Sequence, residues 1–183
     1  MAWESLATQE PFGGTAALAG VLGSFRPRER SSLDLGDAFS QIGQEFPTRS
    51  QIRFRVIVVG MAKHLRSAIS NEIYLAGHEA LSNAFRHSGA TDIEIEVEYT
   101  ASHLRVLIRD NGTGIDPRAL YSRHEAFGGL CWMKERMERT GGRLRVLSSA
   151  AAGTEVELLV PAHVAFESPS GHGSVRWLSK LYS

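Results

Sequence analysis

Asp92-Ile93-Glu94-Ile95-Glu96-Val97-Glu98-Tyr99 alternates without a break between acidic and apolar side chains. Successive side chains of a strand point to opposite faces, so this stretch puts Ile93, Ile95, Val97 and Tyr99 into a core and its carboxylates into water. A sheet that is wet on one face suits a largely antiparallel arrangement, because strands of an all-parallel sheet are apolar on both faces. Leu104, Val106 and Ile108 repeat the period after a short polar connection, Thr100 to His103, and read as the hairpin partner.

On the N-terminal side, Ile69, Ile73, Ala76, Ala80 and Ala84 recur at helical spacing, with Leu81 widening the stripe. They predict a long helix from Ile69 to His87, stopped by Gly89. Ahead of it, Ile52, Phe54, Val56 and Val58 alternate with Arg53, Arg55 and Ile57 as a further strand. Leu35, Ala38, Phe39 and Ile42 mark a helix between Leu33 and Phe46, with Ser32 and Asp34 as caps. On the C-terminal side, Leu130, Met133 and Met137 mark a helix ended by Gly141 and Gly142. One strand then carries Leu144 and Val146, and another Val156, Leu158 and Val160. The order is helix, strand, helix, two strands, helix, two strands. It predicts an α+β fold, a two-layer sandwich with helices on one face of a mixed, mostly antiparallel sheet.

The chain has 183 residues, enough for one domain with a proper core and some tail. Twenty Lys and Arg balance twenty Asp and Glu, which gives no electrostatic case for nucleic acid or a membrane surface. A single cysteine, Cys131, excludes an intrachain disulfide and fits a reducing cytoplasm. No apolar run approaches the roughly 20 residues that span a bilayer, and the first ten residues lack a secretory pattern. A cytoplasmic segment without membrane contact is the expectation. Residues 1–30, broken by Pro11, Gly13, Gly14 and Pro27, read as a flexible leader with a short helix at Thr15 to Leu22. Residues 31–162 form the expected domain, closed by Pro161. Residues 163–183 form a tail whose Trp177, Leu178 and Leu181 either dock or stay loose.

Four groups of residues can carry chemistry. Glu79, Asn83 and His87 stand four apart on the long helix and share a face distinct from the Ile69/Ile73/Ala76 stripe. An amide oxygen there, together with phosphates and water, suits the hard cation Mg²⁺. Taken singly, the same spacing describes an ordinary solvated face. Asp110-Asn111-Gly112-Thr113-Gly114 ends an alternating strand. Its glycines permit close backbone approach, and its aspartate can accept a hydrogen bond from an amino group such as that of adenine. It is equally the composition of a plain turn, and no Gly-Lys-Ser/Thr follows to make a Walker loop. Gly128-Gly129-Leu130 opens a helix, where free backbone N–H groups suit phosphate. Gly153-Thr154 precedes the last strand.

The order and spacing of these groups resemble the ATPase domain shared by gyrase, the ninety-kilodalton heat-shock chaperone, histidine kinases and MutL-type repair proteins. The resemblance is strongest to the histidine-kinase branch that pairs with NarL-type response regulators. His78-Glu79-Ala80-Leu81-Ser82-Asn83-Ala84-Phe85-Arg86-His87-Ser88 looks like its N box, and Asp110 to Gly114 like its first glycine box. Gly129 to Arg136 looks like the second glycine box, and Gly153 to Pro161 like the closing strand. The resemblance covers about residues 33–161 and implies the Bergerat-type ATP-binding fold. It implies ATP and Mg²⁺ as cofactors, with Asn83 as metal ligand. Asp110, assisted by Thr154, would bind adenine, with Gly112 and Gly114 shaping that side. Arg86 and His87 would lie near the phosphates, and Gly128, Gly129 and Leu130 at the phosphate end. Glu79 would be a candidate base. Residues from Ile115 to Gly128 would be a mobile lid.

Two departures stand out. Ala126, Phe127, Gly128 and Trp132 occupy positions where the branch has Gly, His, an aromatic residue and a later Gly. A tryptophan there either crowds the phosphate end or points into the core. No acceptor histidine stands in context either. His78-Glu79 lies in the N box and His124-Glu125 in the lid, while His64, His103, His163 and His172 have no acidic neighbour. The expectation is a histidine-kinase catalytic domain that phosphorylates a histidine on a separate dimerisation helix, in cis or in trans, and serves a NarL-type regulator. The alternatives are a degenerate nucleotide-binding regulatory module and an anti-sigma-type serine kinase of the same fold.

Overall fold

The computed structural model describes residues 34–46, 51–115, 128–150 and 152–168. The elements are α1 (Leu35–Ile42), β1 (Arg53–Val59), α2 (Ser67–His87), β2 (Asp92–Tyr99), β3 (His103–Asp110), α3 (Gly128–Arg139), β4 (Arg143–Ser149), β5 (Gly153–Pro161) and a short α4 (Ala162–Ala165). The strands form one sheet in the order β1-β2-β3-β5-β4. β1 and β2 are parallel, joined through α2 as a parallel pair requires, and every other pairing is antiparallel. This is the mixed α+β sandwich expected from the order of elements.

The alternation that defined β2 holds residue by residue. Ile93, Ile95, Val97 and Tyr99 are buried, and the intervening carboxylates are partly exposed. On the outer face those carboxylates meet arginines. Arg105 reaches Glu96 and Glu98 at 2.6 and 2.7 Å, and Arg109 reaches Glu155 at 2.8 Å. Such pairs contribute little each but keep the wet face free of unpaired like charge. The inner face packs on α1, α2 and α3 through Phe39, Ile73, Leu81, Met133 and Met137, all fully buried. Asp34 caps α1, its Oδ1 accepting from the Gly36 N–H at 2.8 Å. Gly89, at φ +64°, stops α2 where a side chain would be strained.

The packed structure continues past β5 into α4 and Phe166. Ala165 is fully buried and Phe166 nearly so. Leu65 bridges Phe166, Arg66 N–H donates to the Ala165 carbonyl at 3.0 Å, and Glu167 N–H to the His64 carbonyl at 2.9 Å. The turn after β5 thus clamps the segment that leads into α2. The leader, its Thr15–Leu22 helix, Ser32, and Trp177, Leu178 and Leu181 of the tail lie outside the described residues.

α1 and α2 approach closely because Gly77 has no side chain. A Cβ there would fall 2.5 Å from Cε1 of Phe39, whose ring is fully buried and stacks near Tyr74. Glycine-to-alanine in an exposed helix interior stabilises by up to about 1 kcal/mol. Here overpacking costs roughly 1–3 kcal/mol and reverses the sign. Gly77→Ala is expected to lower the urea midpoint at unchanged slope, and a raised midpoint would show that α1 can shift away.

Candidate functional site

α2 places Glu79, Asn83 and His87 on one side of a cavity of about 460 Å³, a size typical of small-ligand sites. Arg86 joins them at the helix end. Asp110, Gly114 and Ile115 line the cavity from the end of β3 and the following loop, Thr154 and Val156 from β5, and Gly129, Leu130 and Met133 from α3. Ala80 and Ala84, from the apolar stripe of α2, also line it, so the cavity opens where the buried stripe and the polar face of the helix meet. Two expected residues are not among the lining. Gly128 has open space around the position of a Cβ, and Gly112 faces the end of α2 instead.

Strand register brings the polar end together. Asp110 stands opposite Thr154, and Thr154 opposite Ser148 on β4. Asp110 Oδ1 accepts from the Gly112 N–H at 2.9 Å and the Thr154 N–H at 3.3 Å. Ser148 Oγ lies 3.1 Å from the Thr154 hydroxyl and accepts from the Ile115 N–H at 2.8 Å. A carboxylate offers about four lone-pair positions, so Asp110 keeps acceptor capacity toward the cavity. Burial raises its pKa from the ordinary 3.8, against the hydrogen bonds from Gly112 and Thr154 that lower it.

The loop after Asp110 is held by backbone contacts too close for side chains. A Cβ on Gly112 would fall 2.2 Å from the Ser88 carbonyl oxygen, and one on Gly153 1.9 Å from the Asp110 carbonyl oxygen. Gly153 is also at φ +85°. Asn111 ties the loop to the start of β2, its Oδ1 accepting from the Thr91 and Asp92 N–H groups at 3.0 and 2.9 Å. Thr113 N–H donates to the Ser88 carbonyl at 2.9 Å, joining the loop to the end of α2. Thus Asn111, Gly112 and Thr113 fix the loop, while Asp110 and Gly114 face the ligand space.

At the other end, Gly129 admits the Glu79 carboxylate, since a Cβ there would lie 2.2 Å from Oε1. Asn83 Nδ2 donates to the same Oε1 at 3.4 Å, a long contact that turns the amide oxygen away from Glu79. Among the described residues no group of three or more His, Cys, Asp and Glu side chains could cage a metal. Trp132 does not line the cavity. Its ring is partly buried and lies 3.9 Å from the Arg136 guanidinium. Sequence reading missed Ser82 and Ser88, which line the cavity, and Ser148, which supports Thr154 from β4. The signal for Ser148 exists only in the β4–β5 register, which local periodicity does not encode. The lid residues 116–127 lie outside the described residues.

An α+β sandwich with a cavity of this size at its strand ends, a hydrogen-bonded carboxylate at one end and an amide-bearing helix face along its side, defines a ligand-binding domain. The family described as histidine kinase-, DNA gyrase B-, and HSP90-like ATPase matches residues 68–164, and the chain belongs to it. Its ligand is therefore ATP. The signal transduction histidine-protein kinase/phosphatase DegS of Bacillus subtilis is 29% identical over 118 residues, 64% of this chain and 31% of that protein. The sensor histidine kinase MctS of Rhizobium johnstonii is 28% identical over 136 residues, 74% of this chain and 29% of that protein. The chain thus spans about a third of these relatives. A histidine kinase domain from Erythrobacter litoralis superimposes with a TM-score of 0.58 at 22% identity, covering 69% of this chain and 58% of that one. The likeness shows a shared fold.

The raised pKa of Asp110 has a consequence for stability. In the window between 3.8 and the raised folded value, the native state binds more protons than the unfolded one. Stability from this group therefore falls as pH rises through the window and stays reduced above it. Asp110→Asn retains an oxygen for Gly112 and Thr154 and removes the buried charge. Melting curves of ligand-free protein are expected to show the variant gaining on the native chain from below pH 3.8 to pH 7. A difference independent of pH would mean that burial of the charge costs nothing.

Proposed function

We propose that this chain is the catalytic ATP-binding domain of a two-component sensor histidine kinase. It binds Mg·ATP for transfer of the γ-phosphoryl group to a histidine on a separate dimerisation helix, in cis or in trans, within a cytoplasmic assembly that serves a NarL-type response regulator. The observation that carries the reading is Asp110. Its carboxylate is half-withdrawn from water, oriented by two backbone N–H groups, and set at one end of a nucleotide-sized cavity. An exocyclic amino group is a donor that relieves such a group. Thr154 supports it from the facing strand, and Ile108, Met133 and Val156 supply apolar surface for a base.

Arg86, His87 and the α3 end at Gly129 and Leu130 then face the phosphates, favourably for negative charge. Asn83 would hold Mg²⁺ through one amide oxygen. That fits a cation which keeps several waters and shares phosphate oxygens, and it fits the absence of an all-protein cage among the described residues. Mg²⁺ supplies charge neutralisation at the phosphates. Glu79 lies beside Asn83 and Gly129, in reach of the reacting end, as the candidate base. Phosphoryl transfer is mostly positioning, which these residues provide from three rigid elements. The rival reading of nucleotide sensing without transfer keeps in its favour that this segment holds no acceptor histidine in context. It gains nothing from Trp132, which lies over Arg136 and off the cavity.

Calorimetric titration of ATP into the purified chain, with and without Mg²⁺, tests the reading. Binding improved by Mg²⁺ is expected, and a folded chain that binds neither form overturns it. Asp110→Asn removes a charged hydrogen bond worth roughly 1.5–3 kcal/mol and is expected to weaken ATP about ten- to a hundredfold. Asn83→Ala is expected to abolish the improvement by Mg²⁺ while leaving metal-free binding intact. The chain alone is expected to take no acid-labile phosphate from labelled ATP, and a labelled histidine would place the acceptor on this segment.

A further inference from the structure

α2 and α3 run antiparallel with a fixed register that two contacts define. Glu79 meets Gly129, and Glu72, seven residues earlier, meets Arg136, seven residues later. Seven residues are close to two helical turns, so both contacts fall along one seam. The Glu79–Gly129 contact is steric and lies in the cavity. The Glu72–Arg136 contact is an ion pair with Nη1 to Oε2 at 2.7 Å, about two turns from the Glu79–Gly129 contact. The Arg136 side chain is 15% exposed. Its guanidinium lies 3.9 Å from the Trp132 ring, one turn back toward the cavity, and its Nε is buried without a hydrogen-bond partner. A planar guanidinium held by a carboxylate at one edge and an indole face at the other has little freedom to slide.

We infer that Glu72, Arg136 and Trp132 form a register clamp that sets the axial position of α3 on α2, and so the position of the Gly129 N–H against the phosphates of ATP. The inference rests on the nucleotide reading above and deepens it. These are positioning residues, because none of the three lines the cavity. The clamp acts chiefly on the phosphate end, where Gly129 lies; of the base-side lining only Met133 comes from α3. Asp110, Thr154 and Ser148 are held by the pairing of β3, β5 and β4. The tryptophan that departs from the family's glycine thus supplies one wall of the clamp.

The separation of the two ends gives the test. ATP and AMP are titrated calorimetrically into the native chain, Glu72→Gln and Arg136→Met, each checked for folding by its melting curve. In both variants ATP affinity is expected to fall roughly tenfold, with AMP affinity unchanged within about twofold. A loss shared equally by ATP and AMP would make the pair merely structural and overturn the inference, as would no loss for either. Reversing the pair, Glu72→Arg with Arg136→Glu, is expected to recover part of the ATP affinity that either reversal alone loses, because the ion pair is restored while the cation over Trp132 is not. Failure to recover also counts against the clamp. A native chain that binds neither nucleotide would instead overturn the nucleotide reading itself.

Discussion

Gly77, Ala76, Ala80 and Ala84 set small residues between the large buried ones of α2, Ile73, Leu81 and Phe85. Because those residues are small, the helix lies close to α1, packs on the sheet, and still leaves a cavity along its C-terminal half. Larger residues at Ala80 and Ala84 would fill that cavity; a larger one at Gly77 would strike Phe39. Each further piece of the site is placed against this helix. The loop after β3 donates to the carbonyl of Ser88, the C-cap of α2, through Thr113 and makes room for that carbonyl at Gly112, while α3 meets the helix at Glu72 and Glu79. A rigid reference of this kind is what a reaction governed by positioning requires.

Asp110 shows how such a scaffold stores a binding preference. Its burial works against the charged form, and two backbone donors offset that in part. The balance disfavours the empty site at neutral pH and favours a ligand that brings a further donor. The glycines nearby serve the same end without touching the ligand space. At Gly112 and Gly153 backbone packs on backbone, so the aspartate is aimed by the main chain and cannot relax away.

Much of this is written locally. The alternation through β2 and β3, the stripe of α2 and the Met133/Met137 spacing of α3 each encode burial directly, because side-chain direction follows from periods of 2 and 3.6. Asp34 as cap and Gly89 as stop were legible for the same reason: capping is a contact between near neighbours in the chain. The polar face of Glu79, Asn83 and His87 could be drawn from spacing, but spacing left it indistinguishable from a solvated surface. The family resemblance, carried by residue order, raised it above that.

The sequence by itself determined the elements, their order, the buried faces of β2, β3 and α2, and the family, since these depend on residue type and short-range period. The alternation in β1 did not determine a buried face, for Val58 there is 45% exposed. Only the tertiary structure decided which of the marked residues share a space. Strand register set Thr154 beside Asp110, 44 positions away in the chain, and Ser148 beside Thr154 across the β4–β5 pair. Close backbone contact turned Gly112 toward Ser88 and away from the ligand, and helix packing set Arg136 against Glu72. The packed chain also runs on through Phe166, because a bridge to Leu65 and hydrogen bonds to residues about a hundred positions earlier hold it there. Such pairings join residues remote in the chain, and no local pattern of residue types encodes them.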